Sequence, residues 1–81
     1  MEYWCVYLIE CSDKTLYCGS TNDLKKRISA HNKGKAAKYT RGRIPVKLIA
    51  YKDNLSKSAA LKLEYKIKHI DKKKKVDFLG T

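Results

Sequence analysis

The fold is decided by the sequence VYL at positions 6–8 and YCG at positions 17–19, which leads into DLKKRISAH at positions 23–31. The first two runs lie in segments rich in β-branched and aromatic residues, joined by a polar connection of hairpin length. Antiparallel strands are therefore predicted at residues 3–10 and 16–20. Alternate side chains on both faces of the first strand are apolar, which predicts a central strand covered on both sides.

The segment DLKKRISAH has the spacing of a helix that packs on a sheet. Leu24 and Ile28 are four residues apart and form the face that is expected to pack. Arg27 and His31 have the same spacing and lie on a flank of that face. Two residues are candidates for the N-terminal cap of this helix, Thr21 and Asn22.

The remaining segments complete an α+β fold with a three-stranded antiparallel sheet flanked by helices, in the order β-β-α-β-α-(α). The basic stretch 35–43 is expected to be a loop, because its charge density and its glycine disfavour a helix. A third strand is predicted at residues 45–51, and a second helix is predicted after a cap at Asn54 or Ser56. Four apolar residues give that helix its buried stripe: Ala60, Leu63, Ile67 and Ile70.

The predicted domain covers residues 1–81, with a core at about residues 3–70 and a short basic segment at 71–81. Eighty-one residues leave no room for a second hydrophobic core. The last segment is expected to form a short third helix that tucks Phe78 onto the core, or to fray.

The charge of the chain predicts a polyanionic partner. Nineteen Lys and Arg against eight Asp and Glu give a net charge of +11, which is costly self-repulsion unless a polyanion neutralises it. A membrane surface is the rival interpretation, but the sequence shows no amphipathic anchor and no lipidation signal. Nucleic acid is therefore the favoured partner.

Cysteine usage predicts a reducing compartment. Cys5, Cys11 and Cys18 are odd in number and include no CxxC pair, which argues against a disulfide framework and against a zinc knuckle. The sequence begins without a signal peptide and has no apolar stretch long enough to span a bilayer. The protein is expected to be soluble, cytoplasmic and not associated with membranes.

Two tyrosines are the first candidates for chemistry. Tyr7 and Tyr17 lie on the paired strands, where tyrosines are more often structural residues with a satisfied hydroxyl. A phenol acts as a general base only if positive charge lowers its pKa from about 10. Gly19 favours the functional interpretation, because a glycine inside a strand indicates that another group approaches closely there.

Three further residues carry weaker signals. The planar fork of Arg27 matches phosphate oxygens, although an ordinary solvated arginine is the commoner case. His31 near the end of its helix fits a favourable interaction with the helix dipole equally well. Glu64 lies beside the apolar stripe of the second helix and must therefore be paired, protonated or bound to a metal. Magnesium is often held by one or two carboxylates with water and phosphate, but an ion pair with Arg27 or a lysine stays open.

The basic residues predict a phosphate-binding surface rather than a merely solvated one, because they are of a single sign. Tyr39 lies among them and is available to stack on a base or a sugar. The predicted nucleic-acid-binding residues are Lys26, Lys35, Lys38, Tyr39, Arg41 and Arg43, with Lys25, Lys33 and the run 72–75 adding charge.

Taken in order, these residues resemble the GIY-YIG nuclease superfamily. VYL at positions 6–8 stands where GIY is expected, and YCG at positions 17–19 keeps the tyrosine and glycine of YIG. Arg27, His31 and Glu64 follow as in that family. The stretch HNKGKAAKYTRGRIP at positions 31–45 is similar to the small stand-alone bacterial branch related to Slx-type structure-specific endonucleases.

The resemblance implies a metal-dependent endonuclease that hydrolyses phosphodiester bonds in DNA. Tyr7 would be the general base, supported by His31, and Tyr17 would orient the attacking water or hold a phosphate oxygen. Arg27 would stabilise charge on phosphorus, and Glu64 would hold one Mg²⁺ or Mn²⁺ ion that assists departure of the 3′-oxygen. The resemblance further implies that Gly19 leaves space at the phosphate.

The resemblance also leaves alternatives for the activity of this chain. Family members usually gain specificity from additional domains, and none is expected here, so the protein is expected to be a monomer or to work with a partner protein. The substrate implied is branched or flapped DNA in repair or recombination. The alternatives are a nucleic-acid-binding module that acts on DNA or RNA with little activity, and a nuclease subunit that requires its partner.

Overall fold

A computed structural model describes residues 3–79 of the chain, so both ends of the predicted domain, 1–2 and 80–81, lie outside the described residues. The elements follow the predicted order, with one additional short helix. They are β1 (Trp4–Glu10), β2 (Leu16–Thr21), α1 (Leu24–Asn32), α2 (Lys38–Arg41), β3 (Lys47–Leu55), α3 (Lys57–Lys68) and α4 (Lys72–Leu79).

The sheet has the strand order β2-β1-β3 with both pairs antiparallel, so the central position predicted for the first strand is confirmed. Alternate residues of β1 feed two separate buried clusters, one on each face of the sheet. The helix-pair face, covered by α3 and α4, contains Val6, Leu8, Cys18, Ala50, Ala60, Ile67 and Leu79. The α1 face, where Leu24 and Ile28 pack, contains Tyr7, Ile9, Cys11 and Val46.

The prediction that residues 35–43 form no helix is wrong. Residues 38–41 form the one-turn helix α2, which is anchored by the fully buried side chain of Thr40. The Thr40 hydroxyl donates to the carbonyl of Ala37 at 3.2 Å, and the Arg43 N–H donates to the Thr40 carbonyl at 3.0 Å. These bonds hold the turn in spite of its charge.

The structure contradicts the predicted N-terminal cap of α1 and confirms one of the two candidates for the cap of α3. The cap of α1 is Asp23, whose carboxylate accepts from the Lys26 N–H at 3.1 Å, so the prediction of Thr21 or Asn22 is wrong. Thr21 instead accepts from the Asp23 N–H at 3.1 Å. Ser56, one of the two candidates for the next cap, is confirmed by its bond from the Ala59 N–H at 3.1 Å.

The C-terminal segment forms the helix α4, but the residue it buries differs from the prediction. Leu79 is 2% exposed and lies in the core, whereas Phe78 is 40% exposed with the Lys66 ammonium 5.2 Å from its ring centroid. The rotation of α4 about its own axis, as it packs on the sheet, turns Leu79 toward the core. The third strand also extends beyond its predicted end, to Leu55.

Candidate active site

Tyr7 and Tyr17 lie on the same face of the sheet, as their register requires. Tyr7 pairs with Gly19, and Ile9 pairs with Tyr17, so the two tyrosines are diagonal neighbours on the α1 face. A Cβ atom built on Gly19 would lie 2.6 Å from Cζ of Tyr7, closer than packed atoms tolerate. The group that approaches Gly19 is therefore the phenol of Tyr7, which occupies the space that a side chain at position 19 would need.

A buried chain of hydrogen bonds runs from Tyr7 to the backbone. The Tyr7 hydroxyl lies 2.8 Å from Nε2 of His31, and Nδ1 of His31 lies 2.8 Å from the hydroxyl of Thr40. Because the Thr40 hydroxyl gives its single proton to the Ala37 carbonyl, it can only accept from His31. We therefore assign the proton of His31 to Nδ1, so that Nε2 accepts the Tyr7 proton. We name Tyr7, His31 and Thr40 the relay.

The surroundings of Tyr7 and His31 favour the uncharged form of the relay. Burial raises the pKa of Tyr7 well above its ordinary value, the nearby Tyr17 adds to the rise, and Arg27 opposes it. Burial lowers the pKa of His31, and the charge of Arg27 lowers it further. Both shifts favour the neutral forms, which agrees with a phenol that donates to an unprotonated imidazole nitrogen. The Tyr17 ring also packs against His31 in a T-shaped contact, with the ring centroids 5.4 Å apart.

Arg27 supplies the positive charge of this site. It is half-buried on α1, near enough to shift the pKa values of both Tyr7 and His31. It also lines an open cavity of about 330 Å³ together with Lys26 and Lys35. Asp23 also lines the cavity, so a phosphate there would meet three cationic side chains and one carboxylate.

Glu64 projects from α3 on the other side of the edge strand β2. Its Oε1 accepts from the Ser20 hydroxyl at 2.5 Å, and its Oε2 lies 2.8 Å from the Lys68 ammonium. We name the group formed by Tyr7, Tyr17, Arg27 and His31 the tyrosine site. The Lys68 ammonium lies 5.7 Å from the ring centroid of Tyr17 and so connects Glu64 with this site. Of the two interpretations left open for Glu64, an ion pair with a lysine is thus present.

The chemistry of Glu64 is compatible with a hydrated magnesium ion. Residues 3–79 contain no cluster of three His, Cys, Asp or Glu side chains that could enclose a metal, so Glu64 would be the protein's carboxylate ligand. A single carboxylate, water and substrate phosphate oxygens are an accepted ligand set for Mg²⁺. The Lys68 side chain is 44% exposed and can leave Glu64 for solvent.

The six predicted nucleic-acid-binding residues fall into three groups. Lys26 and Lys35 are exposed beside Arg27, and Lys38 and Arg41 are exposed on α2. Tyr39 and Arg43 are instead engaged within the protein. Their role in binding stays a prediction.

Tyr39 stacks on Tyr17 rather than standing free. The two ring centroids are 5.6 Å apart at an interplanar angle of 28°, and the Arg43 guanidinium lies 4.2 Å from the centroid of Tyr39. Arg43 also forms an ion pair with Asp13 at 2.9 Å, which offsets part of its charge. Tyr39 therefore connects the tyrosine site to the protein surface.

The sequence analysis missed three residues of the site, namely Ser20, Thr40 and Lys68. Thr40 lies in a basic stretch that gives no signal for burial, and Ser20 is an ordinary residue at a strand end. Lys68 had a usable signal, because Glu64 and Lys68 are four residues apart on one helix in the favourable order.

A family model described as the GIY-YIG catalytic domain matches residues 3–77, and the chain therefore belongs to the GIY-YIG family. This finding confirms the resemblance read from the motifs and indicates a nuclease-type domain.

Within that family, the chain is similar to proteins named UPF0213. The UPF0213 protein YsiG of Lactococcus lactis is 52% identical over 69 residues, which are 85% of this chain and 66% of that protein. The UPF0213 protein HQ_3675A of Haloquadratum walsbyi is 47% identical over 74 residues, 91% of this chain and 83% of that protein. The chain thus spans just under two thirds of the length of the Lactococcus relative.

The solution NMR structure of the UPF0213 protein BH0048 from Bacillus halodurans shares 43% sequence identity with this chain. It matches with a TM-score of 0.58 and covers 94% of this chain and 81% of its own. The likeness confirms the predicted α+β fold.

Proposed function

We propose that the protein is a metal-dependent endonuclease that hydrolyses phosphodiester bonds in DNA, with branched or flapped DNA as its substrate and a role in repair or recombination. The observation that carries this proposal is the relay, which delivers a buried phenol proton to an unprotonated imidazole nitrogen at 2.8 Å, next to Arg27. A binding surface alone does not require such a chain.

The relay explains how a phenol with a raised pKa can act as a base. As water attacks phosphorus, its proton passes to the Tyr7 oxygen while the Tyr7 proton passes to Nε2 of His31, which becomes an imidazolium. The bond from phosphorus to the 3′-oxygen then breaks, and the leaving oxygen takes a proton from solvent. Thr40 keeps Nδ1 of His31 as the donor, so that Nε2 stays free to accept.

Arg27 has two effects in this proposal. Its guanidinium binds the phosphate oxygens and stabilises the charge that develops on phosphorus. Burial is the main cause of the lowered pKa of His31 and the charge of Arg27 is the second, and a bound phosphate offsets the second. Substrate binding therefore makes His31 a stronger base when one is needed.

Glu64 is the residue that would hold the Mg²⁺ or Mn²⁺ ion, with Ser20 orienting its carboxylate. The ion would supply positive charge to the departing 3′-oxygen. Lys68 would move aside, since its ammonium and a metal ion would compete for the same carboxylate. The ligand set and the ion are both part of the proposal.

A nucleic-acid-binding module with little activity, or a nuclease subunit that requires a partner protein, is the second candidate. Two observations favour it: Tyr7 is 2% exposed, which restricts access of water to its hydroxyl, and Lys68 already neutralises Glu64. A partner that displaces Lys68 would convert this state into the active one.

We also propose a cytoplasmic location. The support is that Cys5, Cys11 and Cys18 are free and buried, as expected in a reducing compartment. None of the helices described for residues 3–79 is long and apolar enough to cross a membrane.

The deciding experiment compares Glu64→Gln with the wild type on labelled duplex, single-stranded, flapped and four-way-junction DNA, with Mg²⁺, Mn²⁺ or EDTA. We expect cleavage that EDTA abolishes and that falls at least about 100-fold in the variant. Mn²⁺ affinity, followed by electron paramagnetic resonance, should fall as well.

Glu10→Gln is the matched control, because Glu10 is also a partly buried carboxylate with lysine partners, at 3.5 and 4.0 Å. It should cleave and bind Mn²⁺ as the wild type does. Normal cleavage by Glu64→Gln would contradict the metal assignment. If the wild type binds all four DNA substrates but cleaves none of them, the result would instead support the second candidate.

A further inference from the structure

Tyr39 lines a second cavity, which is separate from the cavity beside Arg27. It has a volume of about 220 Å³ and lies between the β1–β2 connection, α2 and α4. We name it the α4 cleft. Its lining residues are Thr15, Leu16, Tyr39, Lys72 and Lys75.

Two of the four consecutive lysines of α4 point into this cleft. Lys72 and Lys75 are three residues apart and share a helix face with Leu79, which anchors that face in the core. The Lys72 ammonium donates to the carbonyl of Lys14 at 2.7 Å, which fixes it across the cleft and leaves two N–H groups for a ligand. Lys75 is half-buried.

Lys72 and Lys75 bring two positive charges to the wall of the α4 cleft, and the described residues that line it include no carboxylate. In the part of the chain that the structure describes, the ion pairs of Glu10, Asp13 and Glu64 use other cations. Those cations are Lys14, Arg43, Lys47 and Lys68. Two ammonium groups in a cavity with no carboxylate among its described lining residues therefore select an anionic ligand.

The α4 cleft is joined to the tyrosine site by aromatic stacking. Tyr39 forms a wall of the cleft and stacks on Tyr17, whose centroid is 5.6 Å away. The Lys68 ammonium lies 5.7 Å from the centroid of the Tyr17 ring and adds a cation there. Because Tyr39 belongs to the cleft wall and contacts Tyr17, one nucleic acid strand can reach both places.

We propose that the α4 cleft binds a backbone phosphate of the nucleic acid strand, other than the phosphate that is cleaved. The inference rests on the proposed function and adds a substrate subsite to it. The cleft anchors the strand on the C-terminal helix, which would let a single small domain hold its substrate. Lys72 and Lys75 are binding residues in this proposal and take no part in the chemistry.

The lysine run offers its own control. Lys73 and Lys74 belong to the same helix and are exposed, but they do not line the cleft. The double variants K72A/K75A and K73A/K74A each remove two positive charges from the net +11, so any difference between them reports position and not charge.

The test measures dissociation constants for duplex and single-stranded DNA by fluorescence anisotropy over a range of salt concentrations. K72A/K75A should weaken binding about ten- to hundredfold and reduce the log–log salt slope on duplex DNA by about 1.8, the value for two phosphate contacts. K73A/K74A should weaken binding less than about threefold. K72Q/K75Q, which retains polar side chains of similar length, should behave as K72A/K75A does and guards against a folding defect.

Equal losses in K72A/K75A and K73A/K74A would overturn the proposal and indicate diffuse electrostatic attraction. Cleavage kinetics separate it from the proposed function. If no DNA is cut but K72A/K75A selectively loses binding, the nuclease proposal fails and the cleft stands. If DNA is cut and K72A/K75A retains the wild-type KM, the cleft proposal fails and the nuclease stands.

Discussion

Alternate residues of β1 serve two faces of one sheet, and the two faces are built from different chemistry. On the helix-pair face, Val6 and Leu8 are fully buried in a wholly apolar cluster. On the α1 face, Tyr7 between them is buried against the polar side chains of His31 and Thr40, both of them 0% exposed. Every buried side-chain nitrogen and oxygen in the described residues has a hydrogen-bond partner.

The difference between the faces shows how a small domain separates stability from function. Apolar burial contributes free energy of folding wherever the shape fits, so the buried cluster of the helix-pair face can be repacked with little effect on chemistry, provided that α3 still holds Glu64 beside Ser20. The α1 face buries polar atoms that are tolerated only while each keeps its partner. Substitutions on the two faces should therefore affect different measurements.

The largest contrast is expected between Tyr7→Phe and Leu8→Ala, neighbours on opposite faces. Loss of the Tyr7 hydroxyl should lower the single-turnover cleavage rate by about 10²–10⁴-fold, as for removal of a general base. It should cost roughly 1–3 kcal/mol of unfolding free energy, since Nε2 of His31 loses its donor. Leu8→Ala should cost about 2–5 kcal/mol by leaving a cavity, with cleavage per folded molecule unchanged.

Urea denaturation and single-turnover cleavage, measured on the same preparations, check this contrast. A Tyr7→Phe variant that cleaves at the wild-type rate would remove Tyr7 from the proposed mechanism. An inactive but folded Leu8→Ala variant would show that the two faces are not independent.

The next contrast concerns two glycines. Gly19→Ala should destabilise the protein by about 1–3 kcal/mol and displace the Tyr7 phenol, because the new Cβ overlaps Cζ of Tyr7. Gly42→Ala is the control, since a Cβ there meets nothing within 4 Å, and its effect should stay within about 0.5 kcal/mol. Urea denaturation gives the stability change, and the NMR shift of the His31 ring reports the displaced phenol. Equal effects of the two substitutions would refute the close approach at Gly19.

Periodicity made the sheet and its central strand predictable, because alternation of Val6, Tyr7 and Leu8 is a local property of the sequence. The close approach at Gly19 was also predictable, because a glycine inside a predicted strand is a local feature of the sequence. The two ends of the relay differ in this respect. Tyr7 and His31 belong to recognisable patterns, but Thr40 is buried only because His31, nine residues earlier, is placed over it by the fold.

Other features could not be predicted because they depend on docking between elements. The choice of Leu79 over Phe78 follows from the phase of α4 against the sheet, and both residues are apolar. The stacking of Tyr39 on Tyr17 depends on how α2 lies against β2. Local sequence gives the candidates in both cases, and tertiary contact selects among them.

The smallest expected effect is the dependence of stability on pH, and it also distinguishes the two faces. Burial lowers the pKa of His31 below the ordinary 6.5 that it regains in the unfolded chain. At pH values between the folded-state and the unfolded-state pKa of His31, the unfolded chain binds the additional proton. The contribution of His31 to stability is therefore complete above about pH 6.5 and declines as the pH falls from there through the folded-state pKa. The buried cluster described on the helix-pair face contains no histidine.

Thermal unfolding midpoints between pH 5 and pH 7.5 should therefore fall at the acidic end for the wild type and for His69→Gln, whose histidine is exposed. The decline should be absent in His31→Gln, which cannot take up the proton. The carboxyl of Asp13 does not interfere, since its hydrogen bond from Thr15 lowers its pKa below 3.8, outside this window. A decline that persists in His31→Gln would place the titrating group elsewhere, and would remove the evidence that the relay holds its imidazole neutral and ready to accept the Tyr7 proton.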